Sequence, residues 1–266
     1  MRAMSKAYSS NLTQDQWELL EPLIPVGKTG GRPRVVEMWQ VINAIFYVLT
    51  QGCTWRNLPG DLPNWQTVYT YFRNWRKDGT WVSIHDQLRD WERVNNERAV
   101  SPTEAIIDSQ SVKTAAMVTQ QVGYDAGKKV KGRKRFLTVD TLGLVLPVLV
   151  SAASVDERSG GKLLLQKVKQ MGDKVSRLNL IWVDGGYDGN PFMQWVMDFY
   201  RWVVQVVLRP RERKGFVLLP KRWVVERTFG WLTGCRRLNK DYELLPETAE
   251  NFIYLAMIRI MVRRLA

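Results

Sequence analysis

The sequence predicts an α/β protein in which a mixed sheet is flanked by helices and is preceded by a small all-helical region. Apolar residues recur at helical spacing up to about residue 98, and short β-branched runs alternate with helical segments after it. Early strands separated by turn signals predict an antiparallel part of the sheet, and later strand–helix alternation predicts a parallel part. We therefore expect two domains, residues 1–98 and residues 99–266.

Four helices are expected in the first region. Thr13 and Gln16 form a capping-box pattern at the start of the first helix, and Gly52 is a plausible end for the second. Apolar stripes predict a third helix over residues 65–77 and a fourth over residues 81–95.

Strands and helices alternate in the second region. Asn190 is expected to cap a helix that has Pro191 in its first turn. The predicted strands cover residues 105–107, 135–139, 145–150, 178–183 and 202–208, and the predicted helices cover residues 161–171, 190–199, 221–232 and 247–265.

The charge balance points to a polyanionic partner. The chain has 39 Lys and Arg against 26 Asp and Glu, a net charge of +13 with a pI near 9.9. Nucleic acid is the first expectation, an anionic membrane the second and a merely soluble basic surface the third. The most apolar stretch, residues 137–155, is interrupted by Asp140, Gly143 and Pro147, so we expect no membrane span.

The counts of cysteine and histidine exclude several kinds of site. Cys53 and Cys235 fit neither a disulfide framework nor a zinc site, which favours a reducing cytoplasm. The single histidine, His85, excludes histidine-rich metal centres and is expected at the surface or in packing.

Three acidic residues are candidates for a shared site. Asp108 and Asp184 are each expected at the end of a strand, where clefts form in α/β sheets, and Glu226 lies off the apolar stripe of a helix. Taken singly, each carboxylate is typical of a turn or a surface ion pair. Together they suit phosphoryl transfer, in which two Mg²⁺ ions about 4 Å apart activate the nucleophile and stabilise the leaving oxygen.

Several motifs occur together in an order that resembles one known family. They are IDSQSVK at residues 107–113, KGRKR at 131–135, VDTLG at 139–143, VDGGYD at 183–188, RWVVERTFGW at 222–231, GRPR at 31–34, GCTWRNLP at 52–59 and WQTVYTYF at 65–72. In these segments, which span nearly the whole chain, the sequence resembles bacterial insertion-sequence transposases of the DDE type, in the group named after insertion sequence five.

The resemblance implies an RNase H-like catalytic fold with Asp108, Asp184 and Glu226 as the metal-binding triad. It implies two Mg²⁺ ions, which Mn²⁺ can replace, and a nucleoid-associated bacterial protein. The implied partners are double-stranded DNA, as terminal inverted repeats and as target, and a second copy of the chain on paired ends. Activity would consist of cleavage at the element ends and joining of 3′-hydroxyls to target DNA.

Three positions depart from the pattern of the wider group. Leu219 stands where that group has Tyr, Thr233 stands where it has Lys, and Phe136 replaces an expected His. Arg236 or Arg237 is a candidate to supply the missing cation.

Basic residues near the expected site and in the helical region are candidates for DNA contact, since cations neutralise and position phosphates. The alternative is a solvated basic surface. The candidates are Arg32, Arg34, Arg73, Arg76, Lys128, Lys129, Lys131, Arg133, Lys134, Arg135, Arg222, Arg236 and Arg237.

Two other functions fit the same residues. An RNase H-like nuclease would share the metals and stop at hydrolysis, without strand transfer. A transposase-derived DNA-binding protein would bind DNA without cleaving it, and the intact carboxylate set argues against that class.

Overall fold

Helices form the N-terminal third of the chain in the computed structural model, which describes residues 7–27, 34–208 and 221–266. The capping box of Thr13 is confirmed, and Gly52 ends the second helix with a positive φ of 72°, which glycine adopts without steric cost. The helices are α1 (Gln14–Leu20), α2 (Met38–Gln51), α3 (Trp65–Lys77) and α4 (Thr80–Asn95).

A six-stranded mixed sheet follows these helices. Its antiparallel part pairs β3 with β1, β4 and the short β2, and its parallel part runs from β1 to β5 and then to β6. The strands are β1 (Glu104–Lys113), β2 (Gly123–Asp125), β3 (Val130–Asp140), β4 (Val145–Ala152), β5 (Leu180–Asp184) and β6 (Val203–Val207). This is the RNase H-like arrangement that the motifs lead one to expect.

Helices cover both faces of the sheet. They are α5 (Glu157–Gln170), α6 (Asn190–Tyr200), α7 (Arg222–Thr233) and α8 (Pro246–Leu265). On one face, Ile107 and Phe136 pack against apolar side chains of α5 and α6. On the other, Ile106 and Leu137 join a larger cluster with α7 and α8. The alternation of Ile106 and Ile107 follows from the two-residue period of a strand.

The N-terminal helices belong to the larger of these two clusters. Trp17, Phe46, Phe72 and Leu88 pack in the same core as α8 and the inner face of the sheet. The expected division into residues 1–98 and 99–266 therefore marks the change from helices to strands, and it does not separate two hydrophobic cores. A buried ion pair between Arg93 of α4 and Asp140 of β3 also crosses that boundary.

Several local expectations need correction. β1 and β3 are longer than predicted, and β2 was missed because it has only three residues. Asn190 is the first residue of α6 and does not cap it; Gly189 is the N-cap residue. His85 is buried against the Tyr254 ring, which agrees with a packing role. None of the helices in the described part of the chain has the length and apolar character that a membrane span requires.

Gly160 and Gly230 offer a matched test of this packing, since both lie within helices. A Cβ at Gly160 would lie 2.1 Å from Cζ of the fully buried Phe136, whereas a Cβ at Gly230 would meet no atom within 4 Å. Gly160→Ala is expected to destabilise the fold by about 1–3 kcal/mol through overpacking. Gly230→Ala is expected to stabilise it by about 1 kcal/mol through helix propensity. Urea unfolding measures both, and equal shifts in one direction would contradict this account of the α5–β3 contact.

Candidate active site

Strand register places Asp108 and Asp184 side by side. Ile106 of β1 pairs with Trp182 of β5 in the parallel ladder, so each aspartate lies two residues beyond this pair. Two residues along a strand return to the same face, and neighbouring strands lie about 4.8 Å apart. Both carboxylates therefore project from the face that α7 covers.

The position of Asp108 differs from the expected strand end. It lies in the middle of β1, opposite Leu137 of β3, because β1 continues along β3 after its pairing with β5 has ended. Asp184 does lie at the end of β5, as predicted. Asp108 is thus at the end of the shared parallel segment and not at the end of its own strand.

One guanidinium brings the three candidate carboxylates together. Nη2 of Arg222 lies 3.3 Å from Oε1 of Glu226, 3.8 Å from Oδ2 of Asp108 and 3.9 Å from Oδ2 of Asp184. Arg222 and Glu226 are one turn apart on α7, which packs on the sheet face that carries the aspartates. Residues separated by 76 and 42 positions in the chain therefore face one cleft.

Asp108 is the most enclosed of the three. Burial, together with the neighbouring charge of Asp184, raises its pKa to about 6, against the lowering effects of the Ser109 N–H and of Arg222. The Ser109 N–H donates to Oδ1 of Asp108 at 2.7 Å. Asp184 accepts a hydrogen bond from the Gly186 N–H at 3.0 Å, while the Glu226 side chain is half exposed. The three carboxylates therefore differ in exposure, from the buried Asp108 to the half-exposed Glu226.

A further group of polar side chains lies beside the aspartates, and no sequence pattern predicts it. Glu157, in the first turn of α5, accepts hydrogen bonds from Lys134 Nζ at 3.0 Å and from the Ser109 hydroxyl at 3.4 Å. Lys128 Nζ donates to the Ser109 carbonyl at 3.1 Å. Burial, together with the charges of Asp108, Asp184 and Glu157, raises the pKa of Tyr187 well above its usual value. No sequence period marks Glu157, because only the fold brings α5 beside β1.

The donor set suits a hard divalent cation. Carboxylate oxygens are the ligands that Mg²⁺ prefers, and these three already gather around one positive charge. Among the described residues, no three acidic, histidine or cysteine side chains are yet arranged as a ready metal site. The arrangement is therefore chemically suited to metal, with a guanidinium at its centre.

Several of the proposed DNA contacts are exposed cations. Lys128, Lys129 and Lys131 lie on the β2–β3 hairpin, and the Lys128 contact with Ser109 places that hairpin beside the site. Arg73 is exposed on α3, Arg76 is partly buried there, and Arg34 and Arg236 are exposed elsewhere. Arg32, which was also a candidate, and Leu219, which departs from the group pattern, lie outside the described residues.

Four other candidates are buried and serve the fold, so their assignment as DNA contacts is corrected. Arg133 donates to backbone carbonyls of Gln120, Glu243 and Leu244, and it pairs with Asp241. The four buried candidates are Arg133, Lys134, Arg135 and Arg237, whose exposed fractions lie between 0% and 8%.

The partners of the remaining three are equally internal. Arg135 donates to the Leu238 carbonyl at 2.7 Å, and burial lowers its pKa to about 10. Lys134 pairs with Glu157, and Arg237 pairs with Glu243 at 2.7 Å. The prediction of DNA contact by residues 133–135 was wrong because these residues lie within the central strand β3. Both faces of that strand are covered.

The raised pKa of Asp108 predicts that the stability of the metal-free protein depends on pH. Because its folded pKa of about 6 exceeds the reference value of 3.8, the folded state favours the protonated form. Its contribution to stability is present below about pH 4 and is lost as the pH rises to about 6. Asp108→Asn should therefore stabilise the protein at pH 7.5 by on the order of 2–3 kcal/mol, and by much less at pH 4.

Urea unfolding in EDTA at the two pH values measures this difference. The exposed Asp198 provides the control, since Asp198→Asn should change stability little at either pH. If Asp108→Asn destabilised the protein equally at both pH values, Asp108 could not be a buried carboxyl beside the negative charge of Asp184.

Two families of known proteins match most of this chain. The family described as "Putative transposase of IS4/5 family" matches residues 12–85, and the family described as "Transposase DDE domain" matches residues 101–261. A putative transposase for insertion sequence element IS402 of Burkholderia cepacia is 28% identical over 116 residues, which are 42% of this chain and 54% of that protein. The matched region thus spans about half the length of that relative.

Two further similarities are weaker. An uncharacterized 16.2 kDa protein of the IS402 element, also from Burkholderia cepacia, is 28% identical over 109 residues, covering 38% of this chain and 72% of that protein. The piggyBac transposase, solved as a synaptic complex with hairpin DNA, aligns with a TM-score of 0.35 and 12% identity over 62% of this chain and 47% of that one.

The match to the DDE domain covers more than half of the chain and includes all three clustered carboxylates. We conclude that this chain belongs to the family of transposases with a DDE domain.

Proposed function

We propose that this transposase binds the terminal inverted repeats of its element, cleaves the element ends and joins the freed 3′-hydroxyls to target DNA. The observation that carries the proposal is the convergence of Asp108, Asp184 and Glu226 on one cation. Three carboxylates that share a positive charge are the groups that metal-dependent phosphoryl transfer needs.

The residues of the chain have distinct roles in this chemistry. Asp108, Asp184 and Glu226 would hold two Mg²⁺ ions, or Mn²⁺ in their place. Bound divalent metal supplies an activated oxygen nucleophile and neutralises charge on the leaving oxygen. Asp108 must give up its proton before it can act as a ligand, and its pKa of about 6 makes that step easy at neutral pH. Lys134 and Ser109 orient Glu157 behind the site.

Exposed lysines beside the triad would guide the DNA backbone. Lys128, Lys129 and Lys131 project from the β2–β3 hairpin next to Ser109, which follows Asp108. Lysine neutralises phosphate without reading sequence. This hairpin would therefore position the cleaved strand for any DNA end that reaches the site.

A groove along α3 has the composition of a sequence-reading surface. Its volume is about 890 Å³, and its lining includes Arg34, Gln66, Thr70 and Asn74. The last three residues are spaced four apart and form one row on α3, and Arg73 and Lys77 are exposed on the same helix. Amide side chains read adenine in the major groove, and adjacent cations hold the backbone. We infer that α3 recognises the terminal repeat.

Pairing of two element ends requires more than one active site, so we propose a homodimer assembled on paired DNA ends. Strand transfer separates this function from the nuclease alternative. A precut end with a free 3′-hydroxyl is joined to a target plasmid by a transposase, whereas a simple nuclease leaves it unjoined.

Removal of any triad carboxylate should abolish cleavage. Asp108→Asn, Asp184→Asn and Glu226→Gln are each expected to reduce Mg²⁺-dependent cutting by at least about a thousandfold, because each loses a ligand for the reacting metals. Binding should persist, since the change removes negative charge beside DNA. Gel assays on a duplex carrying the element's own end measure both steps.

Glu247→Gln removes an exposed carboxylate at the start of α8 and is the matched control, with cutting unchanged. Normal cutting by any one of the three triad variants would show that the assigned site is wrong. Binding without cutting by the wild-type chain in Mg²⁺ or Mn²⁺ would favour the non-catalytic alternative.

Two kinds of DNA contact should respond differently to substitution. Asn74→Ala on α3 is expected to lower affinity for the element end by about 1–3 kcal/mol while affinity for unrelated DNA changes little. Lys131→Ala on the β2–β3 hairpin should weaken binding to both DNAs alike and reduce the salt slope by about one. Salt-dependent anisotropy titrations distinguish these outcomes. Equal losses on both DNAs for Asn74→Ala would remove α3 as the reading helix.

A further inference from the structure

Arg222 occupies the centre of the carboxylate cluster, and its contacts there are loose. The distances from its Nη2 to the three carboxylates, 3.3 to 3.9 Å, exceed the 2.7–2.9 Å typical of a charge-assisted hydrogen bond. Its Nε is buried and has no hydrogen-bond partner in the described part of the chain. The guanidinium is therefore held mainly by surrounding charge and not by a directional fork.

The Arg222 side chain is placed so that it can move out of the carboxylate cluster. Arg222 is the first residue of α7, and its side chain is 23% exposed. Asp108 and Asp184 are positioned by other elements, β1 and β5, and Glu226 is positioned by the next turn of α7. A change of side-chain rotamer would therefore remove the guanidinium from the cluster without moving any of the three acids.

The charges at the site make Arg222 and divalent metal competitors. A guanidinium that contacts all three carboxylates takes up the oxygen atoms and the space that a metal ion would need. Like charges within a few ångströms repel strongly where water is partly excluded. A guanidinium displaced beside DNA finds an anionic partner of matching geometry in a phosphate.

We propose that Arg222 takes the place of the divalent cations in the DNA-free protein and moves to a DNA phosphate when metal binds. This inference rests on the proposed metal-dependent function. It makes Arg222 a positioning residue that couples metal loading to DNA binding. The opposite role, a brace that holds the carboxylates ready for metal, predicts that loss of Arg222 weakens metal binding.

Mn²⁺ titration of the DNA-free protein tests the competition directly. At pH 7.5, Arg222→Gln is expected to bind Mn²⁺ at least about fivefold more tightly than the wild type, measured by electron paramagnetic resonance of free Mn²⁺. Arg222→Lys keeps the charge in a more flexible side chain and should fall between the two. Far-ultraviolet circular dichroism and thermal melting establish that both variants are folded.

Arg177→Gln is the matched control, because it removes one exposed arginine before the start of β5, at the end of that strand opposite Asp184. It should leave Mn²⁺ affinity within about twofold of the wild type. An equal gain in Arg177→Gln would mean that net charge alone sets the affinity, and this would overturn the proposal.

DNA should change the result in a characteristic way. A duplex carrying the element's end is expected to tighten Mn²⁺ binding to the wild type, because the phosphate accepts the displaced guanidinium. By linkage, this coupling should shrink at least about fivefold in Arg222→Gln.

Unchanged or weaker Mn²⁺ binding by DNA-free Arg222→Gln would overturn the competition, and so would absence of Mn²⁺ binding to both proteins. These outcomes differ from failure of the proposed function. In that case Asp108→Asn and Asp184→Asn would leave both Mn²⁺ binding and DNA cleavage at wild-type levels.

Discussion

Repulsion between carboxylates on neighbouring parallel strands is the constraint on which the rest of this site depends. The Ile106–Trp182 register fixes Asp108 and Asp184 next to each other on one face of the sheet. Burial of Asp108 adds the cost of desolvation to that of like charges. The cluster therefore needs a cation, and Arg222 on α7 provides one in the DNA-free chain. Under the proposed function, a divalent cation at this position would relieve the same repulsion.

Some basic residues of the chain are buried and stabilise the fold, and others are exposed. Arg133 and Arg135 are buried in β3 and bind the segment between α7 and α8 through Asp241, Leu238, Glu243 and Leu244. A buried guanidinium is costly unless acceptors surround it, and Arg133 has four such oxygens, in Gln120, Asp241, Glu243 and Leu244. Arg133 and Arg135 thus act as cross-links between β3 and this segment. Lysines on the β2–β3 hairpin remain exposed, and they are among the cations of the described residues that DNA could reach.

The helical region and the sheet are joined closely enough to act as one body. Phe72 of α3 stacks on Phe252 of α8, and α8 in turn packs on the sheet face that bears the triad. The buried pair of Arg93 and Asp140 fixes α4 to the end of β3. A DNA end held on the proposed α3 groove would thus lie at a fixed distance from the carboxylates. Such rigid spacing would define where the strand is cut.

By itself, the sequence determined the local structure and predicted which three carboxylates would lie near one another. Capping at Thr13, the helix end at Gly52 and the alternation of strands and helices depend on neighbouring residues, so they were predictable. Only the tertiary structure decided that β1 runs on past Asp108, that Arg133 and Arg135 are internal and that Glu157 lies behind the site. Register, burial of a central strand and contact between distant elements depend on pairing across the chain, and no local pattern encodes them.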